Sequence, residues 1–243
     1  MKKNKPILQF NWKIGLGYIV IMVLLISLGN WQIRRAHEKE QLQQERQTES
    51  KLFPVDLNAL HNPSLKQLQY RRVKVKGVFD IQHQILIDNQ MYQGKVGYYV
   101  MTPLKIEGKA EAVLVNRGWV PMNKDRRQLP DIGLTETEVL IRGRVNHFPQ
   151  VGYMLDGADI PTPGWPTVVQ VVNTGLIAQK LGYALLDFQV EMDAELPGGY
   201  VREWRIATKM PPEKHYAYAM QWYGLALTLT LLMIWMSFKK TDE

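Results

Sequence analysis

Residues 214–240 read "KHYAYAMQWYGLALTLTLLMIWMSFKK", and the run inside them from Tyr216 to Phe238 holds 23 residues without a charge. At the helical rise of 1.5 Å per residue, a run of that length covers roughly 34 Å, enough to cross a bilayer. Lys214 and Lys239 bound it, and a histidine, His215, stands at its entrance with an aromatic cluster just inside. An interfacial histidine with Tyr216, Tyr218 and Trp222 beside it is the feature around which the rest of the chain is read.

A second run answers it near the other end. From Ile14 to Ile33 there are 20 uncharged residues, again about 30 Å of helix. A cleaved signal peptide is the rival reading, because lysines precede the run. Its length exceeds that of a signal core, and it ends in "LGNWQIRR" with no small-x-small cleavage pattern, so an uncleaved anchor is expected. Two spans put both termini on one side. The 13-residue tail carries Lys2, Lys3, Lys5 and Lys13, the usual mark of a cytoplasmic end, although Arg34, Arg35 and Lys39 beyond the first span weaken the charge asymmetry. The expected organisation is therefore a cytoplasmic tail (1–13), a first span (14–33), an extracytoplasmic domain (34–215), a second span (216–238) and a short cytoplasmic end (239–243). Trp12 and Trp235 would mark one interface of the bilayer, and Trp31, Tyr216 and Tyr218 the other.

The bulk numbers agree with one domain between two anchors. The chain has 243 residues and net charge +7, but the N-terminal tail carries four of those charges and the C-terminal lysines are cancelled by Asp242 and Glu243, leaving +3 on residues 14–238. That is too little and too scattered for nucleic acid. With no cysteine, the chain has no disulfide, no thiolate metal site, no covalent c-type haem attachment and no cysteine nucleophile.

After Arg35, "AHEKEQLQQERQTESK" is polar and rich in helix formers, so it should extend the first helix as a solvated stalk before breaking near "FPVD". Strand signals follow in "YRRVKVKGVFD", "HQILIDNQ", "VGYYVMTPL", "EAVLVNRGWVP", "EVLIRGRVN", "WPTVVQVVN" and "ALLDFQVEMD". Hairpins are expected at "DNQMYQGKVG" and "IEGKAEA", a short helix at "NTGLIAQKLGY" capped by Gly182, and an irregular loop at "MLDGADIPTPGWP". The fold class that results is an α+β membrane protein. Two transmembrane helices flank a mostly antiparallel, barrel-like β domain of six to eight strands with one or two helices.

No hydrolytic triad, P-loop, dinucleotide fingerprint or H-E-x-x-H site occurs, so nothing argues for an enzyme. His37, His61, His83 and His147 lack a ligand spacing to one another and read as surface or hydrogen-bonded histidines. His215 differs because Trp222 lies seven residues on, nearly two turns along the same helix face, with Tyr218 and Ala219 between them. A nitrogen ligand, a small residue and a large ring suit a haem plane; a histidine that merely caps the helix, with Trp222 packed on the other span, is the alternative. Trp31 and Gln32 end the first span, and Gln221 and Trp222 lie about two turns inside the second. An amide in a span needs a partner, so contact between the helices is expected there, with Gly29 allowing close approach. Arg117, at a strand end in "VNRGWVP", could face a carboxylate such as a haem propionate or could simply solvate that end.

The segment "LGNWQIRRAHEKEQL" resembles the G-x-W-Q-x-x-R-x-x-x-K-x-x-L pattern of the SURF1 family, carried here by Gly29, Trp31, Gln32, Arg35, Lys39 and Leu42. The resemblance continues in order through "YRRVKVKGVFD", "VGYYVMTPL", "VLVNRGWVP" and "HYAYAMQWYGLA". It implies an assembly factor for cytochrome c oxidase in the bacterial inner membrane. It also implies haem a bound by the histidine at the mouth of the second span, here His215; the residues expected around it, from their spacing and chemistry, are Trp222, Tyr218, Ala219, Trp31, Gln32 and Arg117. The partners expected are the oxidase catalytic subunit and haem a synthase, from the resemblance, and the lipid bilayer, from the two spans. One departure is Lys214, where the family pattern has asparagine. A scaffold that stabilises an oxidase intermediate without touching haem is the other reading.

Overall fold

A computed structural model describes residues 12–150, 154, 156–204 and 210–237. Phe238, the tail at 239–243 and all but two residues of the expected N-terminal tail lie outside the described residues. The chain divides into two compact units, one made of residues 1–45 with 206–243, the other of residues 46–205.

The first unit is a helix pair. Helix α1, Trp12–Lys51, runs without a break from the apolar run into the polar stalk, and it stops where Pro54 approaches, as the composition predicts. The second unit begins with a two-residue strand β1 (Val55–Asp56) and a single turn α2 (Leu65–Leu68). It continues with β2 (Arg72–Phe79), β3 (Ile85–Tyr92), β4 (Lys95–Ile106), β5 (Ala112–Pro121), β6 (Glu138–Asn146), β7 (Thr167–Val169), α3 (Thr174–Leu181) and β8 (Leu185–Met192). Helix α4, Pro212–Ser237, returns to the first unit.

All eight strands form one sheet in the order β1-β2-β6-β8-β5-β4-β3-β7. Each of the seven strand segments read from sequence overlaps one of them, although "WPTVVQVVN" yields only the three residues of β7. Strand β2 alternates buried and exposed side chains, with Val73, Val75 and Phe79 inward and Lys74 and Lys76 outward. Strand β5 is buried on both faces from Ala112 to Val120, with Val113 and Val115 in the main core and Leu114 and Val120 in two other clusters. The main core gathers Val73, Val75, Leu104, Val115, Phe188 and Val190, and a second cluster joins Ile85, Ile87, Met101 and Leu114 to Ile177 of α3. Asn173 caps α3, its Oδ1 accepting from the backbone N–H groups of Gly175 and Leu176, and Gly182 ends it at φ 80°.

The sheet is mixed, with antiparallel pairings in the majority as expected and parallel ones that were not expected. Five pairings are antiparallel, whereas β1–β2, β3–β7 and β5–β8 are parallel. The crossover after β7 that carries α3 sets β8 alongside β5 in the same direction, a direction that strand composition alone does not encode. The expected barrel-like closure comes down to three residue pairs, where β2 meets β4 at Gly77–Ile106, Val78–Lys105 and Phe79–Leu104. Hydrogen bonding thus passes through β2, β4, β5, β8, β6 and back to β2. Gly77 makes that contact possible, since a Cβ there would sit 2.2 Å from the Lys105 carbonyl oxygen.

Candidate functional site

Along α1 the inward positions are Gly15, Tyr18, Met22, Leu25, Gly29, Gln32 and Ala36; along α4 they are Pro212, His215, Ala219, Trp222, Ala226 and Met233. Spacings of three, four and seven residues are those of a coiled-coil seam. Polar pairs on the two helices run in opposite directions and fix the register. Tyr18 Oη lies 2.9 Å from Thr230 Oγ1, Tyr223 Oη donates to Asn30 Oδ1 at 2.8 Å, and the imidazole Nδ1 of His215 lies 2.7 Å from Gln32 Oε1. Beyond these, Tyr216 Oη is 3.4 Å from His37 Nδ1, and the two rings meet edge to face. Gly29 admits the Tyr223 ring: a Cβ at that position would fall 2.6 Å from Tyr223 Cε1.

His215 sits in the first turn of α4, which opens with Pro212 at a position where no backbone N–H is required. Its side chain is turned into the seam, leaving the residue 6 % exposed, with Gln32 also buried opposite it. Ala219, 2 % exposed, follows on the same face, and Trp222 lies one turn further. The indole Nε1 of Trp222 is buried and has no hydrogen-bond partner among the described residues. No hydrogen bond to His215 Nε2 occurs among the described residues, where its Nδ1 bond to Gln32 is the one present. Four of the expected site residues, His215, Ala219, Trp222 and Gln32, therefore share the seam.

The others do not. Tyr218 and Trp31 point away from it, at 44 % and 43 % exposure, and the Arg35 guanidinium lies 5.9 Å from the centre of the Trp31 ring. Gln221 is exposed, so the amide that meets its partner is Gln32, across from His215 rather than from Gln221 or Trp222. Arg117, read from sequence as a strand-end arginine able to face a ligand carboxylate or solvent, is 1 % exposed inside the β domain. Its Nε donates to the Gly198 carbonyl at 2.7 Å and its Nη1 to Gln84 Oε1 at 2.8 Å, while Tyr200 stacks 5.1 Å away. Burial pulls the guanidinium below its ordinary value, yet an arginine so bonded stays charged. The reason is placement: Arg117 falls on the inner face of a strand covered on both sides, and neutral acceptors consume its donors.

Asn30 and Tyr223 were not singled out in the sequence; the signal available was a second uncharged amide inside the first span. A further cluster in the β domain was equally hidden. Asp80 accepts from His83 Nδ1 at 2.7 Å and from Tyr183 Oη at 2.9 Å, with Lys105 Nζ 3.7 Å away. Burial pushes the Asp80 carboxyl up, but the bonds from His83 and Tyr183 and the charges of His83 and Lys105 outweigh it, so it lies below the ordinary carboxylate value. Burial, together with the Asp80 carboxylate, pushes the Tyr183 phenol well above its own. Among the described residues no three His, Asp or Glu side chains converge as a metal site.

Comparison with known proteins places this geometry. The SURF1 family profile matches residues 19–227, which include the whole β domain, most of α1 and the first part of α4 with His215, Ala219 and Trp222. Surfeit locus protein 1 of Xenopus tropicalis is 26% identical over 88% of this chain and 72% of its own length. A SURF1-like protein of Rickettsia felis is 28% identical over 91% of this chain and 96% of its own. In Saccharomyces cerevisiae, the cytochrome oxidase assembly protein SHY1 is 30% identical over 54% of this chain, but the match spans only 35% of that protein.

Proposed function

The chain belongs to the SURF1 family, and on that footing we propose that it is a membrane-anchored, non-enzymatic assembly factor for cytochrome c oxidase. In this reading the helix pair holds haem a at His215 and releases it to the oxidase catalytic subunit, haem a synthase being the source. The yeast relative is named for oxidase assembly, which supports the general role. The observation that carries the haem reading is the state of the imidazole: Nδ1 is engaged by Gln32 and no hydrogen bond to Nε2 occurs among the described residues. A neutral imidazole with one free nitrogen is what haem iron takes as an axial ligand.

The neighbouring residues fit that group. Trp222 supplies an apolar wall and an indole N–H left unpaired in the seam, and Ala219 between them adds only a methyl group. His215 would hold the iron and Trp222 would cover the macrocycle. The haem is cargo whose iron supplies redox chemistry after insertion into the oxidase, so non-covalent holding suits its release.

Both helices would cross the bacterial inner membrane. Ile14, Leu16, Ile19, Val20, Val23 and Leu24 on α1, like Leu225, Leu227, Leu231, Leu232 and Ile234 on α4, are exposed in the isolated chain. Apolar surface of that extent calls for a lipid environment. Both termini lie in the cytoplasm, as the lysines ahead of α1 indicate, and the β domain lies on the opposite side.

One observation favours the scaffold reading, in which the β domain steadies an oxidase intermediate: the seam is shut over His215 and Ala219. The visible absorption spectrum of the chain purified from membranes that make haem a separates the two. Haem in the parent and its loss in His215→Ala is the expected result. If neither protein carries haem while both co-purify with the oxidase subunit, the scaffold reading replaces it.

A further inference from the structure

We propose that Gln32 is the positioning residue for haem ligation: it locks His215 in the single tautomer that can bind iron, and does so with a neutral acceptor that keeps the ligand releasable. This rests on the haem-binding reading above. A neutral imidazole has one N–H and one lone pair, on different nitrogens. Gln32 Oε1 can only accept, so the 2.7 Å contact places the proton on Nδ1 and leaves the lone pair on Nε2. The two nitrogens point away from each other across the ring, so ligation through Nε2 leaves the Gln32 bond intact.

The rest of the seam keeps Gln32 in place. Tyr223 donates to Asn30 two residues before it, Gly29 lets the Tyr223 ring lie flush against α1, and Ala36 one turn further on is fully buried. Displacing α1 along its axis by one residue, about 1.5 Å, would take the amide out of reach of Nδ1. The kind of acceptor matters as well. A carboxylate at this position would make the imidazole a stronger iron donor, and it would set a negative charge in the membrane seam. A glutamine orients the ring without either effect, which suits a protein that must give its cargo up.

The test uses the full chain in detergent with haem a as the probe, and Gln32→Met removes the acceptor at similar volume. Loss of such an outer partner weakens metal binding roughly 10–100-fold, so Gln32→Met should lose affinity in that range. In the fraction still loaded, the ferrous iron–histidine stretch measured by resonance Raman should fall, because Nδ1–H has lost its acceptor. A purely structural effect would lower loading and leave that frequency alone. Gln32→Glu, which restores an acceptor oxygen and adds charge, should bind haem a at or above the parental affinity and release it more slowly. Nitrogen-15 spectra of the haem-free parent should show the His215 proton on Nδ1, and this arm needs no variant to fold.

Parental affinity and frequency in Gln32→Met, or a proton found on Nε2, overturns the role of Gln32. His215→Ala distinguishes that outcome from failure of the underlying reading. If His215→Ala keeps haem as well as the parent does, His215 is not the ligand and both ideas fall. If it loses haem while Gln32→Met is unchanged, only the positioning role is lost.

Discussion

Replacing Arg117 by methionine should destabilise the β domain and leave haem binding alone. The side chain makes two short charge-assisted bonds, to the Gly198 carbonyl at 2.7 Å and to Gln84 Oε1 at 2.8 Å. Longer contacts reach Ile132 O, Thr102 Oγ1 and Gly133 O at 3.3 to 3.4 Å. Bonds of the short kind are worth about 1.5–3 kcal/mol each. Two effects reduce the total. Gln84 Oε1 keeps its bond from Thr102 Oγ1 at 3.0 Å, and methionine no longer has to bury a charge. A net loss of about 3 kcal/mol follows, which for a domain of this size lowers the melting temperature by about 6–12 °C. Arg117→Lys keeps the charge but not the planar fork, so it should fall between parent and methionine. Guanidinium denaturation of the full chain in detergent, followed by the fluorescence of Trp119, Trp165 and Trp204, measures the loss, and haem titration of the folded fraction measures the other half. A methionine variant within about 1 kcal/mol of the parent would mean that desolvation cancels the bonds, and the structural account of Arg117 would be wrong. A folded variant with weakened haem binding would restore the carboxylate-facing reading.

The helix seam and the Asp80 cluster make two more tests. Gly29→Ala puts a Cβ 2.6 Å from the Tyr223 ring, so the ring must yield and the helices separate, at about 1–3 kcal/mol. Because the chain has no cysteine of its own, a Tyr18→Cys/Thr230→Cys pair can report the seam directly, and cross-linking should drop when Gly29→Ala is added; undiminished cross-linking would show that the seam absorbs the methyl group. In the β domain the depressed Asp80 carboxyl contributes stability that is present above its unfolded value and is lost as pH falls below about 4. The raised Tyr183 phenol contributes stability that is present below about pH 10 and lost as pH rises beyond it. Urea midpoints against pH should therefore show a shallower acid limb in Asp80→Asn and a shallower alkaline limb in Tyr183→Phe; limbs parallel to the parent's would remove the cluster from the account.

Where a feature depended on neighbours in the chain, the sequence was enough. Uncharged runs of membrane length became α1 and α4, the polar stalk continued α1 to Lys51, and alternation in "RVKVKGVF" became β2 with its valines inward. The Asn173 cap and the Gly182 stop of α3 are equally local, since each turns on a backbone group within a few residues. The two-residue β1 and the one-turn α2 escaped because so few residues carry no period to detect.

Other features were decided across the chain. Gln32 and His215 are 183 residues apart, and nothing near either one says which nitrogen meets which oxygen; the heptad seam and the Gly29–Tyr223 approach settle it. The same holds for Arg117, which looks like a surface residue until Gln84, Gly198 and Tyr200 pack around its side chain, and for the parallel arrival of β8 beside β5. The sequence by itself determined that this chain has two bilayer-length helices around a strand-rich domain, because length, charge and side-chain period act over a few residues. Only the tertiary structure decided which polar groups share a buried space. A buried donor or acceptor must find a partner wherever the packed chain puts one, and that position follows from register between distant segments, not from local composition.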